Sequence, residues 1–332
     1  TEDPVSNSEA GKYSEEISAT GITITTTAAK YLTSVSATTG GTVTSTKTIK
    51  ERGVCYATTT KPTIASSVVV SGAGTGTYES VITGLAANTK YYVRAYVKYG
   101  AGKVAYGTQT SFTTLQSYGT VTDADGNEYA TVTIGNQVWM AENLRTTKYN
   151  DGTDIPNVTA VADWITLTSG AYCSFDNDDA NVADYGLLYN WYAVDDTRGI
   201  APTGWHVPTD DEYRTLMNYF GGTNGSNVAG AYLKQAGLDY WLTPNEGANS
   251  GSGFEARGNG ARFYTVVNTV PGAYFSDFKR SSPWWTADET NDSAAKYRQC
   301  NSASTQVYRF NYLGHIRYLD KRSGYALRLV KD

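Results

Sequence analysis

The chain has 332 residues, long enough for two domains with separate cores, and carries 33 glycines and 27 tyrosines against only 8 phenylalanines. Its net charge of −5, with no basic stripe, argues against nucleic acid as a main partner, and no apolar run reaches the length of a membrane span. Three scattered cysteines, Cys55, Cys173 and Cys300, exclude a disulfide framework or a metal knuckle and leave either one Cys173–Cys300 pair or free buried thiols.

Residues 1–17 are polar and read as a flexible leader, and the opening at Thr1 looks like a terminus trimmed after a removed export segment. From 18 to 115 short strands follow one another with turn residues between them and no helical period, which predicts an all-β sandwich. Tyr91, Val93, Ala95 and Val97 alternate with Tyr92, Arg94 and Tyr96 along one of these strands. Gly40-Gly41 reads as a turn. The GAGTG run at 72–76 reads as a hairpin and not a phosphate loop, because no Lys follows and no helix opens behind it.

Residues 116–120 read as a linker, and 121–332 as an α+β domain. EYATVTI and QVWMAEN flank a hairpin turn at Gly135-Asn136. Asp123, Asp125 and Asn127 have the stagger of a calcium loop but lack its closing glutamate, so a plain turn is expected. The acidic stretch with Asp176, Asp178, Asp179 and Asp184 is the other place where a structural calcium is considered; no cofactor is expected otherwise. Leu187, Leu188, Trp191 and Tyr192 have helix-compatible spacing and read as core.

The clearest local signal is residues 204–222. Thr209 and Glu212 form a capping box, Asp210 and Asp211 complement the helix dipole, and Tyr213, Leu216, Met217 and Phe220 make one apolar stripe ended by Gly221-Gly222. A second short helix is expected from a cap at Ser226, with Ala229, Tyr232, Leu233 and Ala236 on one face and Gly237 as terminator.

Catalysis needs a nucleophile or metal with an activating base. The chain has two histidines, His206 and His315, and none of the zinc-protease, serine-hydrolase or P-loop signatures. His206 is expected to be structural, and Asp195-Asp196 and Asp210-Asp211 are assigned to loops and caps. Sequence spacing alone does not hold them about 5–10 Å apart across a substrate, as a hydrolase requires. An enzyme is therefore not expected. Residues 284–325 are different, being rich in Tyr, Asn, Arg and Ser, a mixture of rigid aromatic area and adaptable hydrogen bonding that suits recognition. Candidate ligand contacts there are Trp285, Tyr297, Arg298, Asn301 and Tyr308, continuing through Asn311, Tyr312, His315, Arg317 and Tyr318.

Two resemblances add to this. ERGVCYATTTKPT, GTGTYESVITGL, NTKYYVRAYV and YGTQTSFTT, in that order, resemble a fibronectin type III-like domain of bacterial surface proteins, with Gly84-Leu85, Asn88-Thr89 and Tyr91 to Ala95 as the most recognisable part. Such domains serve as spacers. From about Tyr118 to Asp332, GTVTDADGNEY, TIGNQVWMAENLRTTKYNDG, YGLLYNWYAV, GWHVPTDDEYRTL, PWWTADET and GYALRLVKD resemble the Fibrobacter succinogenes major paralogous domain. GWHVPTDDEY and GYALRLV are also similar to the formylglycine-generating-enzyme branch of the C-type-lectin-like fold.

That second resemblance implies two helices beside a twisted antiparallel sheet, long loops, and ligands met by the late strands. It also implies differences in this chain. Leu329 stands where the family often has Cys, leaving Cys173 without its expected partner, and Cys300 is single where the oxidising members hold copper with a close cysteine pair. The calcium-dependent sugar motifs are missing, Pro244-Asn245-Glu246 being only a scrambled echo. In some relatives of the fold the late region is hypermutated by diversity-generating retroelements, and the composition of residues 284–325 is compatible with that.

The expectation is thus an exported protein of the cell surface or outer membrane, for which a lipid anchor is one means of attachment. A fibronectin-III-like spacer would precede a non-catalytic head that binds a protein or glycan outside the cell. The alternatives are a subunit or tip component of a surface filament, with other subunits as partners, and a polysaccharide-anchoring module using Trp241, Trp284 and Trp285 as its platform.

Overall fold

The computed structural model describes residues 21–117, 119–221, 228–267, 269–308 and 319–332. The chain forms two compact units, Thr1–Leu115 and Gln116–Asp332.

The first unit is built of β1 (Ile22–Lys30), β2 (Ala37–Ser45), β3 (Ile49–Ala57), β4 (Ser67–Val70), β5 (Gly76–Ile82), β6 (Lys90–Tyr99), β7 (Lys103–Tyr106) and β8 (Thr110–Thr113). One sheet runs β1-β2-β5; the other runs β4-β3-β6, with β7 and β8 both pairing with β6. All pairs are antiparallel. Alternation decides which side faces in. Ile22 and Ile24 of β1 join Val43, Tyr78, Ala95, Val97 and Tyr99 in one cluster, while Val54, Ile82, Leu85, Val93 and Phe112 fill a second. Burial of each large side chain of this kind is worth about 1.5–3 kcal/mol. The Tyr78 hydroxyl crosses between the sheets and donates to the Gly53 carbonyl at 2.7 Å.

Two sequence expectations change here. Gly40 and Gly41 are not a turn but the middle of β2. A Cβ at Gly40 would lie 2.0 Å from the Tyr78 carbonyl oxygen, so this glycine lets β5 approach closely, and a Cβ at Gly41 would lie 2.6 Å from the Thr25 carbonyl oxygen of β1 and 2.8 Å from the Ala95 Cβ of β6. The GAGTG run is not a hairpin either. It connects β4 to β5, which belong to different sheets, and is a crossover.

At the start of the second unit the Gln116 carbonyl accepts from Thr133 Oγ1 at 2.5 Å and the Gly119 carbonyl from Thr131 Oγ1 at 2.8 Å. One sheet of this unit comprises β9 (Thr120–Thr122), β10 (Glu128–Ile134), β11 (Gln137–Met140), β14 (Trp205–His206) and β21 (Val330–Lys331), in the order β14-β21-β11-β10-β9. The expected hairpin turns at Gly135, with Ile134 opposite Gln137. A small ladder joins β12 (Tyr172–Cys173) to β13 (Leu188–Tyr189). A long hairpin joins β15 (Asn259–Val267) to β16 (Val270–Phe278), and a last sheet places β18 (Ala294–Asn301) between β17 (Ser281–Asn291) and the short β19 (Val307–Tyr308) and β20 (Leu319–Asp320).

Single helical turns occur at α1 (Val161–Trp164), α2 (Val182–Tyr185) and α3 (Trp191–Val194); the helix-like spacing of Leu187, Leu188 and Trp191 therefore resolves into a strand followed by one turn. The main helix α4 (Asp210–Tyr219) has the predicted capping box. Glu212 N donates to Thr209 Oγ1 at 3.2 Å, and Thr209 N donates to Glu212 Oε2 at 2.8 Å. Its stripe of Tyr213, Leu216 and Met217, followed by Phe220, is buried. Helix α5 (Ala229–Leu233) is shorter than expected: the chain turns extended at Lys234 (ψ 138°), which excludes Ala236 from its face, and the proposed cap Ser226 lies outside the described residues.

The segment Gly324–Val330 threads these parts together. Tyr325 exchanges main-chain hydrogen bonds with Tyr189, Trp285 N donates to the Ala326 carbonyl, Leu144 N to Leu327, and Met140 N to Leu329. Every one of these residues from 324 to 330 is buried. Enclosure on all sides leaves the run GYALRLV without the alternation of a half-exposed strand, and Arg328 is its one charged member.

Candidate functional site

The structure separates the candidate ligand contacts into two groups. Trp285, Tyr297 and Arg298 are core residues, not surface ones. Trp285 is wholly buried, its indole N–H donating to the Tyr189 carbonyl at 2.9 Å and its ring 4.6 Å from that of Tyr325. Tyr297 packs on the same Tyr325 at 5.3 Å. Arg298 Nε donates to Asp210 Oδ1 at 2.8 Å, with both side chains 3% exposed, forming a closed ion pair between β18 and the first turn of α4. The sequence misled because β17 is buried over six consecutive residues, Ser281 to Thr286, and β18 at Tyr297 and Arg298 together. Strands covered on both sides lose the alternation that marks a surface face.

The remaining described candidates, Asn301 and Tyr308, lie at the ends of β18 and β19 and are partly exposed. Asn301 Oδ1 accepts from Ala303 N at 2.9 Å, shaping the turn, and the Tyr308 hydroxyl donates to Ser304 Oγ at 2.5 Å across it. Gln299 pairs with Tyr308 and Cys300 with Val307. Beneath the turn the Ala231 N–H donates to the Thr305 carbonyl at 3.1 Å and the Glu246 N–H to the Ser302 carbonyl at 2.6 Å. At Gly230 a Cβ would stand 2.6 Å from the Gln306 carbonyl, so α5 approaches this turn as closely as a backbone permits. Asn311, Tyr312, His315, Arg317 and Tyr318 lie outside the described residues.

The three tryptophans named for a polysaccharide platform are not at the surface. Trp241, Trp284 and Trp285 are all wholly buried, and the N–H of Trp241 donates to Ala256 and that of Trp284 to Asn143. A flat aromatic strip for a sugar chain needs exposed rings, and these serve as core.

The other groups with chemical potential are held structurally. Cys55, Cys173 and Cys300 are free and buried, and burial pushes their thiols up to about 11, 11 and 12 respectively. A thiolate is the reactive form, so these thiols are inert at neutral pH. His206 is bonded through both ring nitrogens, Nδ1 to Asp332 at 2.6 Å and Nε2 to Glu212 at 2.8 Å. Burial opposes its charging, but the two carboxylates outweigh that and raise its pKa. Asp196 pairs with Arg198 at 2.7 Å.

The acidic loops are occupied by protein donors. Asp123 accepts from the N–H groups of Asp125 and Asn127, from Asn127 Nδ2 and from the Tyr129 hydroxyl. Asp125 takes Thr147 and Lys148. In the second stretch Asp178 caps Ala180 N, Asp179 accepts from Ser174, and Asp184 pairs with Arg257 at 2.9 Å.

A buried polar knot lies behind a small cleft lined by Glu142, Asn143, Asp184, Glu255, Arg257 and Arg328. Arg328 is wholly buried and its pKa is lowered to about 9 by burial. Its Nε and Nη2 donate to Asn143 Oδ1 at 3.0 and 2.9 Å, its Nη1 donates to the carbonyls of Met140 and Phe254, and it stacks on the Phe254 ring. Asn143 also takes the Trp284 indole N–H at 3.0 Å and donates to the Tyr185 carbonyl at 2.9 Å. One arginine and one asparagine thus link the C-terminal segment to four other stretches. Sequence reasoning passed over both, since neither spacing nor composition marks a residue whose partners are far away in the chain.

A β-rich unit braced by two helices, with its C-terminal segment threaded through the centre, is therefore the class of domain that carries the candidate face. The chain belongs to the family described as the Fibrobacter succinogenes major domain (Fib_succ_major), whose family model matches residues 132–331. No curated protein matches it. Among solved structures, the sensor domain of the anti-sigma factor RsgI4 of Pseudobacteroides cellulosolvens is 19% identical, covering 29% of this chain and 76% of that one at a TM-score of 0.23. A shorter version of the same sensor domain is also 19% identical, covering 30% and 99% at a TM-score of 0.23.

Proposed function

We propose that the protein is an exported, non-catalytic surface protein: a fibronectin type III-like spacer followed by a C-type-lectin-like head that binds a protein or glycan outside the cell. The spacer reading is supported by the three-plus-four strand order, with β8 as a further partner of β6, and by a corner residue, Tyr91, whose hydroxyl accepts from the Ala86 N–H at 3.0 Å. The non-catalytic reading is supported by the buried thiols and by the His206 ring, which spends both nitrogens on carboxylates.

The observation that carries the binding reading is the turn from Asn301 to Tyr308. It joins an aromatic-cored sheet to a Tyr-, Asn- and Arg-rich stretch, and it is fixed from below by α5 and the 244–250 loop. Recognition residues on loops held by a rigid scaffold are the usual arrangement of binding sites. The test is a screen of the full chain against glycan and extracellular-matrix-protein arrays, beside a Tyr308/Tyr312/Tyr318→Ala variant. Capture lost in a variant that keeps its near-ultraviolet circular dichroism supports the reading, and capture unchanged by the substitutions refutes this face as the site.

One observation favours the filament-subunit alternative. The β15–β16 hairpin ends in Val266, Val267 and Val270, 54%, 61% and 67% exposed, with Tyr274 behind them. Exposed apolar clusters mark association surfaces. Concentration-dependent assembly in light scattering, abolished by Val267→Asp, would support that alternative over soluble-ligand binding.

A further inference from the structure

Lys234 follows α5 at the point where the chain turns extended, and its side chain is wholly buried. Its ammonium donates to three main-chain carbonyls: Glu246 at 2.9 Å, Asn301 at 3.0 Å and Ser304 at 2.8 Å. An ammonium has three N–H donors, so all are used, each on a neutral oxygen. The oxygens come from three stretches that are distant in sequence or separated by a turn: the loop after Trp241, the end of β18, and the turn into β19. The Trp241 ring closes another side, 5.7 Å from Nζ. Loop carbonyls gathered around one positive charge are the coordination that an oxygen-preferring cation imposes.

We infer that Lys234 is a tethered cation that does the work of a bound metal ion, drawing the carbonyls of Glu246, Asn301 and Ser304 together and so fixing the turn that presents Asn301 and Tyr308. The ordering of this face is then independent of calcium. Lys234 is a positioning residue: it touches no ligand, and only the consequence for recognition rests on the binding reading above. Without the ammonium, the Glu246 and Ser304 carbonyls lose this donor and the Asn301 carbonyl keeps only the Ser304 N–H at 3.3 Å, which favours opening of the turn. The site left by Lys234→Ala has the shape and acceptor set for a small alkylammonium.

The test is amide hydrogen exchange of the full chain, read by mass spectrometry, with calcium and with chelator. The variants are Lys234→Met, which keeps the stem and removes the donors, and Lys234→Ala, with and without propylammonium. Exchange in 301–308 should rise at least about tenfold in both variants while α4 keeps its protection, since local opening is separable from global unfolding. Propylammonium should restore protection in Lys234→Ala but not in Lys234→Met, and the wild type should be indifferent to chelation. If the variants do not fold unaided, propylammonium should refold Lys234→Ala alone.

Unchanged exchange at 301–308, a wild type that loosens on chelation, or no response to propylammonium overturns the inference. Array capture, measured in parallel, separates the two claims. A loosened turn with capture intact leaves the tethered cation standing and sinks the binding role of this face.

Discussion

The pairing of Arg298 with Asp210 offers the sharpest check on the division between scaffold and surface. Both side chains are 3% exposed and 2.8 Å apart, and Asp210 N also donates to Asp288 Oδ2 at 2.6 Å. Replacing Asp210 with Ala takes the carboxylate away from a guanidinium held in the interior, which costs about 3–5 kcal/mol, whereas an exposed pair would cost about 0–1 kcal/mol. For a unit of this size that corresponds to a fall in Tm of roughly 6–20 °C. All seven tryptophans lie after residue 116, so indole fluorescence during urea unfolding reports the second unit alone. Adding Arg298→Met to Asp210→Ala should recover most of the loss, because a buried ion pair replaced by apolar groups is often neutral or better. A loss below about 1 kcal/mol for Asp210→Ala, or a double variant worse than the single by the full cost of a second lesion, would refute the assignment of Arg298 to the scaffold.

Further outcomes follow from the same physical arguments. His206 has a raised pKa in the folded protein, so its contribution is complete below its ordinary value of 6.5 and is lost as pH rises through the raised value; Glu212 is lowered from 4.5, so its contribution is lost only in acid. The stability gap between wild type and His206→Gln should therefore be widest between those limits and narrow on the alkaline side, and a gap that widens above neutrality would contradict this. Gly40→Ala should unfold the first unit or lower its stability by more than about 3 kcal/mol, because the new Cβ meets a main-chain oxygen that has no freedom to retreat. A denaturation curve superimposable on wild type would show β2 and β5 to be less closely packed. Asp123→Ala removes the acceptor of four protein donors and should cost about 2–4 kcal/mol, while calcium should leave the wild-type melting curve unmoved; a calcium-dependent rise in Tm lost in Asp123→Ala would restore the metal-loop reading.

What the sequence disclosed was local. The capping box at Thr209 and Glu212, the stripe from Tyr213 to Phe220 and the hairpin at Gly135 are each specified by residues within a few positions of one another, so pattern alone suffices. Gly40-Gly41 failed as a turn because its reason lies across the sheet in the Tyr78 main chain, which no local pattern contains. Trp284, Trp285, Tyr297 and Arg298 failed as surface candidates because Trp284 and Arg298 pack on Tyr213 and Asp210 of α4, while Trp285 and Tyr297 pack on Tyr325. Their one available signal was the uncharged run SSPWWT, which suits a strand enclosed on both faces. Lys234, Asn143 and Arg328 carried no signal, since each is defined by carbonyls or amides reached only after folding.

Capture by the late face separates a binding head from an assembly module most directly. Full-length protein on mixed glycan and matrix-protein arrays, with calcium and with chelator, beside Tyr308/Tyr312/Tyr318→Ala, gives the comparison. A binding head gives a hit that survives chelation and is lost in the folded triple variant. A hit that the triple variant retains, or silence from wild type together with concentration-dependent self-assembly, would contradict the binding head and leave an assembly module in its place.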